Sequence, residues 1–216
     1  MEKKLVSLLL IFFFFLLDFL SFPTHLMGQS QSSKFDKLFT LICTDNTEEL
    51  TRQLRSCSSA EQTSCLSNLS DKDKSATLLM YAAFYGNLTI CRLLLESGAR
   101  LLSRDNEGRN VLFYAIAGQA YNVTKYLIES ALTEFDTDTR KTFLNNSDNT
   151  GETCLHEAVK VHAVSCIELL LKHDIDVNIV NKDGVTALHR AVDLGEDYET
   201  SSCSSILLLF FFFFFF

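Results

Sequence analysis

The chain lacks the sequence motifs of an enzyme active site. It has no glycine-rich phosphate loop, no Gly-x-Ser-x-Gly motif and no pair of carboxylates in a recognisable catalytic frame. A basic cluster for a phosphate backbone is also absent, because 27 acidic residues outnumber 19 basic ones and give a formal net charge of −8. We therefore predict no enzymatic activity, no cofactor, no small-molecule substrate and no nucleic-acid partner.

The cysteines and histidines lack the spacing of a metal site. The seven cysteines, an odd number, include no Cys-x-x-Cys pair, which argues against a disulfide framework or a structural zinc site. The stretch His156-Glu-Ala-Val-Lys160 begins like a zinc-protease helix, but Lys160 stands where the second histidine ligand is required. We predict no bound metal. Reduced thiols fit a cytoplasmic location, which we expect for the central part of the chain.

Both ends of the chain are apolar and rich in phenylalanine. Residues 1–28 have a basic start and an apolar run from Leu5 to Leu17, which is the layout of a secretory signal peptide. Extended past Asp18, the segment Leu5–Phe22 reaches the length of a short membrane anchor, which makes membrane association the alternative location. Signal, anchor and translation of non-coding sequence all stay open here. The run Ile206–Phe216 is too short to span a bilayer, which favours translation of a pyrimidine-rich tract.

The middle of the chain contains four similar seven-residue blocks. Their first residues are separated by 33, 43 and 33 positions, which indicates a 33-residue repeat with one ten-residue insertion. Leucine and alanine recur in each block at helical spacing, and a second apolar stretch follows the first three, so we predict two short helices per repeat. Because so short a pair cannot bury its apolar face alone, the repeats must stack. The blocks are Thr77–Ala83, Asn110–Ile116, Thr153–Val159 and Thr186–Val192.

Over about residues 70–195, these blocks and the turns before them resemble the ankyrin repeat. The strongest matches are Asp148-Asn-Thr-Gly-Glu-Thr-Cys-Leu-His156 and Asn181-Lys-Asp-Gly-Val-Thr-Ala-Leu-His189. The resemblance implies an all-α solenoid of paired antiparallel helices with short β-hairpin-like loops, flanked here by apolar Phe/Leu-rich termini. It also implies that the rings of His156 and His189 form hydrogen bonds that tie hairpin to helix.

The chain departs from the ankyrin pattern at two kinds of position. The proline that the family places second in each block is absent from all four blocks. The turn glycine is present as Gly86 in the first repeat but is replaced by Gln119 and His162 in the next two. We expect those two turns to be looser than the family norm.

These observations predict a domain organisation in four parts. A capping helix pair and linker precede the repeats. The second repeat carries the insertion at 130–145, which we expect to be a projecting loop. The fourth repeat stops after its first helix, near Gly195, and this early stop suggests that the chain is a truncated piece of a longer array. The parts are 1–28, the signal-like or anchor segment; 34–70, the cap; 71–195, the repeats at about 73–105, 106–147, 148–180 and 181–195; and 196–216, a polar linker and Phe-rich tail.

The resemblance implies a non-enzymatic scaffold or adaptor that binds a partner protein. In repeat arrays of this kind the hairpin tips and the exposed side of the first helices form the recognition surface. Alternatives are a membrane-tethered ankyrin protein and the recognition portion of a larger enzyme or ubiquitin-ligase receptor. Phe84 with Tyr85 is the expected anchor, since aromatic residues are enriched at interface hot spots. The predicted partner-binding residues are Phe84, Tyr85, Asp105, Asn106, Glu107, Arg109, Asn149, Thr150, Glu152, Lys160, Lys182 and Asp183.

Overall fold

The computed structural model describes residues 32–56, 75–173 and 175–197, and the repeats lie in a unit that begins at Ser33. The interpretations of the segment 1–28 and of the tail 198–216 concern residues outside these ranges. Ten helices are present in the described residues: α1 Ser32–Cys43, α2 Thr47–Arg55, α3 Leu78–Phe84, α4 Leu88–Glu96, α5 Val111–Ala117, α6 Tyr121–Glu134, α7 Thr137–Leu144, α8 Cys154–Lys160, α9 Val164–Leu171 and α10 Ala187–Asp197.

The all-α prediction is confirmed. The described ranges contain no strand, and two isolated antiparallel bridges join described residues, Ser147 with Thr153 and Val180 with Thr186. Each bridge closes a short hairpin directly before α8 or α10. We call α3, α5, α8 and α10 the first helices and α4, α6 and α9 the second helices.

Each first helix begins after the threonine or asparagine that opens its block. The Thr77 hydroxyl accepts the N–H of Met80 at 3.3 Å, and the Asn110 side chain accepts the N–H of Leu112 at 3.0 Å. Such caps satisfy N–H groups that a helix leaves without internal partners. Helices α3, α5 and α8 have seven residues each, whereas α10 has eleven and runs to Asp197. The predicted end of this helix, near Gly195, lies in the last turn of α10.

The core contains small residues where the first helices meet and bulky residues from both the first and the second helices. The first helices pack in the order α3, α5, α8, α10, and the second helices pack in the order α4, α6, α9. Alanine at the sixth position of each block lets neighbouring first helices approach closely. Burial of each leucine or isoleucine of the second helices contributes about 1.5–3 kcal/mol. The buried residues at these positions are Ala82, Ala115, Ala158, Ala191, Ile90, Leu94, Val123, Leu127, Ile167 and Leu170.

The turns between first and second helices keep one geometry with or without glycine. Gly86, Gln119 and His162 have φ angles of 72°, 54° and 55°, all in the left-handed region. In each turn two N–H groups return to carbonyls three and five residues earlier, at 3.1 Å each in the Gly86 turn and 2.8 Å each in the Gln119 turn. The expectation of looser turns at Gln119 and His162 is wrong.

The cap has the same turn as the repeats. Asp45, between α1 and α2, has a φ of 54°, and the N–H groups of Asp45 and Asn46 return to the carbonyls of Ile42 and Leu41. A non-glycine residue in this region costs about 1–2 kcal/mol, so the hydrogen bonds and the packing of the stack must impose the conformation. Helix α2 packs on α4, which places the cap in line with the second helices.

The insertion is helical, which corrects the expected loop. Its first part lengthens α6 to Glu134, and its second part is the separate helix α7. Phe143 is buried and its ring meets that of Phe135 edge-on, with centroids 6.0 Å apart. Asp136 accepts the N–H of Thr139 at 3.2 Å and so caps α7. The hydroxyl of Thr139 and this backbone bond lower the pKa of Asp136.

Burial divides the described thiols into one that reagents can reach and three that they cannot. Burial raises the pKa of Cys91 and of Cys154 to about 12 each and also raises that of Cys166. Partial burial raises the pKa of Cys43 as well, but Cys43 is exposed to solvent and the other three are buried. Because alkylation requires a thiolate that the reagent can reach, we expect iodoacetamide to alkylate Cys43 in the folded chain and the other three only after unfolding. Peptide mass spectrometry after pulse labelling measures this. Equal rates at Cys43 and Cys91 would contradict the packing described above.

Candidate partner-binding face

Three hairpin turns are organised by one side chain each, at equivalent positions of successive repeats. The Oδ1 atoms of Asp105, Asp148 and Asn181 each accept the N–H groups of the second and fourth residues that follow. All six distances lie between 2.8 and 3.0 Å. Asn181 accepts the same two hydrogen bonds without a charge, so these turns require a side-chain oxygen in this position and not a negative charge.

The hairpin tips are joined to one another in a row. Asn149 donates its backbone N–H to the carbonyl of Glu107 at 2.7 Å and its side-chain amide to the carbonyl of Asn106 at 2.8 Å. The N–H of Lys182 reaches the carbonyl of Thr150 at 2.9 Å. Two of these links join backbone groups and the third uses the Asn149 side-chain amide, so the tips form one hydrogen-bonded frame. Six predicted partner-binding residues are exposed there: Asn106, Glu107, Asn149, Thr150, Lys182 and Asp183.

The fifth residue of each block faces the same side as the hairpins. The Tyr114 hydroxyl donates to Asp105 of its own hairpin at 2.8 Å, and the Arg190 guanidinium contacts Glu152 of the preceding hairpin. We call the surface formed by the tips and these first-helix positions the inner face. The fifth residues are Tyr81, Tyr114, Glu157 and Arg190, all partly exposed. Sequence reasoning missed them, although the fifth position changes from tyrosine to charged residues along the four blocks.

Aromatic rings run without a break over the first part of the inner face. The Phe39 and Tyr81 ring centroids are 4.8 Å apart with planes at 72°, and those of Tyr81 and Tyr114 are 6.1 Å apart at 70°. These edge-to-face arrangements are favourable for aromatic pairs. Buried Phe35 lies beneath, with its ring 6.0 Å from that of Phe39. We call Phe39, Tyr81 and Tyr114 the aromatic ladder.

An arginine held in two ion pairs lies beside Tyr114, at the end of the ladder. The Arg109 guanidinium lies 5.3 Å from the centre of the Tyr114 ring and contacts the carboxylates of Asp105 at 2.8 Å and Glu107 at 2.9 Å. Burial alone would lower the pKa of Arg109, but Tyr114 and the two carboxylates raise it. For Tyr114 burial acts in the opposite direction and raises the pKa, so the phenol stays neutral and acts as a hydrogen-bond donor.

Ion pairs replace aromatic rings in the second part of the inner face. Lys160 contacts Glu157 at 3.1 Å one turn away on α8, and Arg190 on α10 contacts Glu152 in the hairpin before α8. The Glu152 and Arg190 side chains are 16% and 28% exposed, so their pair is partly shielded from solvent. The exposed helix positions of this half therefore carry these two ion pairs, whereas those of the first half carry aromatic rings.

His156 joins the third repeat to the fourth. The ring is buried; its Nδ1 accepts the N–H of Thr153 at 3.2 Å, and its Nε2 lies 3.1 Å from the carbonyl of Val185 in the next hairpin. Because a carbonyl only accepts, Nε2 carries the proton. His189 makes the equivalent bond to Thr186 at 3.3 Å, but its ring is exposed. The hydrogen-bonding role that the resemblance implies is present at both positions.

Several of the predicted partner-binding residues also make contacts within the fold. The Asp105 side chain has no exposed surface and organises its turn. Arg109 and Glu152 are partly exposed and held in ion pairs. Lys160 is exposed beside Glu157.

The expected anchor, Phe84 with Tyr85, lies at the end of α3 away from the hairpin. The two rings meet edge-on at 5.5 Å, and Tyr85 is 44% exposed. Burial of the remainder raises the pKa of Tyr85, and a hydrogen bond with Cys43 of the cap adds to the increase. Tyr85 therefore lies at the junction with the cap, whereas Tyr81, one turn earlier, belongs to the ladder.

The described ranges contain no cluster of three or more histidine, cysteine, aspartate or glutamate side chains suited to a metal ion. Among the helices of those ranges, none has the length and apolar character needed to cross a membrane. The predicted anchor Leu5–Phe22 lies outside them.

Comparisons with known proteins agree on one family. A model described as "Ankyrin repeats (3 copies)" matches residues 39–141 and 132–201. The chain is 28% identical over 167 residues to a putative ankyrin repeat protein of Acanthamoeba polyphaga mimivirus, covering 76% of this chain and 20% of that protein. It is 34% identical over 115 residues to neurogenic locus notch homolog protein 1 of Xenopus laevis, covering 53% and 4%. A putative ankyrin repeat protein of Fowlpox virus is 27% identical over 128 residues, covering 59% and 82%. The chain thus spans a small part of the first two relatives.

Proposed function

We propose that this chain, which belongs to the ankyrin-repeat family, is a non-enzymatic module that holds a partner protein on its inner face. Ankyrin repeats are in general protein–protein interaction modules, and arrays of stacked repeats recognise partners through an extended surface. The observation that carries the proposal is the inner face itself. Exposed tip side chains stand on a hydrogen-bonded row of hairpins, and partly exposed rings and ion pairs lie beside them on the first helices.

The composition of this face supports binding over catalysis. Aromatic rings and an arginine beside polar side chains are typical of protein interfaces. Among the described residues, the polar groups of the inner face are bonded to one another and are not directed at a shared reaction centre. In a larger protein that contains this chain, the same face would be the surface that recognises the partner.

Affinity capture with the full-length chain tests the proposal. The inner-face variant carries Tyr81→Ala and Glu157→Ala, and the matched control carries Lys125→Ala and Glu129→Ala, an exposed pair on the second helix α6. We expect a specific partner from the source cells to be retained by the control and weakened at least about tenfold by the inner-face variant, as for loss of one or two interface hot spots. Equal loss with both variants, or no partner that distinguishes them, would argue against binding at this face.

A further inference from the structure

The insertion forms one wall of a cavity that no residue of the inner face lines. The cavity has a volume of about 310 Å³ and lies between α7 and the segment that leads into the hairpin of Asp105. This volume is at the lower end of the range for small-ligand sites, so the cavity can hold one ring system but not a folded segment. Its buried floor consists of Asn110, Phe143 and Asn146, and its exposed rim includes Leu102, Arg104, Asp138 and Thr142.

Asn146 leaves a hydrogen-bond acceptor without a partner at the floor of this cavity. Its side-chain N–H donates to the carbonyl of Gly108 at 2.9 Å. Because a carbonyl only accepts, this bond fixes which end of the amide is the oxygen. The Oδ1 atom is then buried with no hydrogen-bond partner among the described residues. Buried polar atoms in folded proteins are nearly always bonded, so this oxygen requires a donor that the chain does not supply.

The neighbouring polar groups of the cavity are already engaged elsewhere. The side chain of Asn110 donates to the carbonyl of Phe143 at 2.8 Å and accepts the N–H of Leu112 at 3.0 Å. The Thr142 hydroxyl donates to the carbonyl of Asp138 at 2.9 Å. None of these donors reaches the unpaired Oδ1 atom, so the missing hydrogen bond is one that a ligand can make.

The rest of the lining favours an uncharged, apolar group. Leu102 is 47% exposed, an unusually accessible position for a large apolar side chain. The two charged lining residues, Arg104 and Asp138, have opposite signs and lie at the exposed rim. A charge carried past them to the floor would be buried beside a single neutral acceptor, which is costly.

We propose that this cavity binds an indole-type ring whose N–H donates to Oδ1 of Asn146 and whose apolar surface contacts Leu102. An indole has one donor and no acceptor, so its burial satisfies the unpaired oxygen and leaves no polar group of the ligand without a partner. The ring is supplied either by a free small molecule or by a tryptophan side chain of another protein. Because the cavity is separate from the inner face, this proposal does not rest on the function proposed above.

Fluorescence titration of indole with the full-length chain tests the proposal. The chain contains no tryptophan, so indole emission reports the probe alone. We expect an emission shift to shorter wavelength that saturates with a Kd below about 1 mM, as for a small ring that leaves water. Benzothiophene, in which sulfur replaces the N–H, is expected to compete about tenfold less well because it leaves the buried oxygen unpaired. Absence of a saturable shift, or equal competition by the two rings, would overturn the proposal.

Two leucine variants test whether the ring lies in this cavity. Leu102→Ser removes apolar contact at the rim and is expected to weaken indole binding about fivefold. Leu132→Ser is the matched control, since Leu132 is 39% exposed on α6 and does not line the cavity, and it should leave the affinity unchanged. Both positions are exposed, and circular dichroism verifies that both variants are folded. Equal affinities in these two variants would contradict binding at this site.

A variant of the floor tests the hydrogen bond itself. Asn146→Leu removes the acceptor and is expected to abolish the tenfold preference for indole over benzothiophene. A folded Asn146→Leu variant that keeps this preference would overturn the assigned bond. If the variant does not fold, the competition experiment and the two leucine variants decide the question on stable proteins.

N-acetyltryptophanamide distinguishes the two sources of the ring. An affinity equal to that of indole shows that the rim admits a peptide backbone, which supports a tryptophan side chain as the ligand. Binding of indole alone supports a free small molecule. The inner-face variant, Tyr81→Ala with Glu157→Ala, is expected to bind indole like the parent chain, so failure of the function proposed above and failure of this proposal are told apart.

Discussion

Replacement of His156 by alanine is expected to lower the free energy of unfolding by about 3 kcal/mol. The ring is buried, and its two nitrogens bond to Thr153 at the start of its own helix and to Val185 in the next hairpin. The substitution leaves a cavity together with a buried N–H and a carbonyl that have lost their partner. Urea denaturation of the full-length chain, followed by circular dichroism, measures the loss.

Two further variants identify the cause of this effect. His189→Ala removes the equivalent ring from an exposed position and is expected to cost less than about 1 kcal/mol. His156→Leu keeps most of the volume but none of the hydrogen bonds, so it should retain most of the loss if the bonds dominate. Equal effects at His156 and His189 would show that the bond to Val185 does not join the two repeats energetically.

The repeats could be predicted from the sequence because their signals are local. Each block places its capping residue, its leucines and its alanines within one helix, and the hairpin motif repeats at a constant distance from it. The turns at Gln119 and His162 could not be predicted from the family pattern, which places glycine at these positions. Two backbone hydrogen bonds and the packing of the flanking helices enforce the left-handed φ on these residues, although glycine would adopt it without cost.

The insertion and the ladder could not be predicted because they depend on contacts far apart in the sequence. Phe143 and Leu144 stand between polar residues in the sequence, and only their burial and the contact of Phe143 with Phe135 reveal α7 as a packed helix. The ladder joins Tyr81 to Tyr114, 33 positions later, and to Phe39, which lies in a cap with no clear register to the blocks. A comparison of the fifth positions across the four blocks would have found the two tyrosines.

The second large effect is expected at Gly118, where a side chain has no room. A Cβ atom there would lie 1.9 Å from the carbonyl oxygen, 2.8 Å from the carbonyl carbon and 3.1 Å from the Cα of Phe84. All three are backbone atoms, so a rotamer change cannot relieve the overlap, and α3 and α5 must separate. We expect Gly118→Ala to cost about 3 kcal/mol, at the upper end for overpacking by one methyl group.

Gly184→Ala is the matched control for the Gly118 substitution. Gly184 has a φ of 76° with no atom within 4 Å of the Cβ position, so alanine there pays for backbone strain alone, about 1–2 kcal/mol. Gly118 has an ordinary φ of −77°, so the stability lost in Gly118→Ala comes from steric overlap and not from backbone strain. A Gly118→Ala variant as stable as the parent would mean that the ends of α3 and α5 are free to move apart. Those helices carry Tyr81 and Tyr114, whose ring centroids are 6.1 Å apart, so Gly118→Ala should also weaken binding of a partner at the inner face.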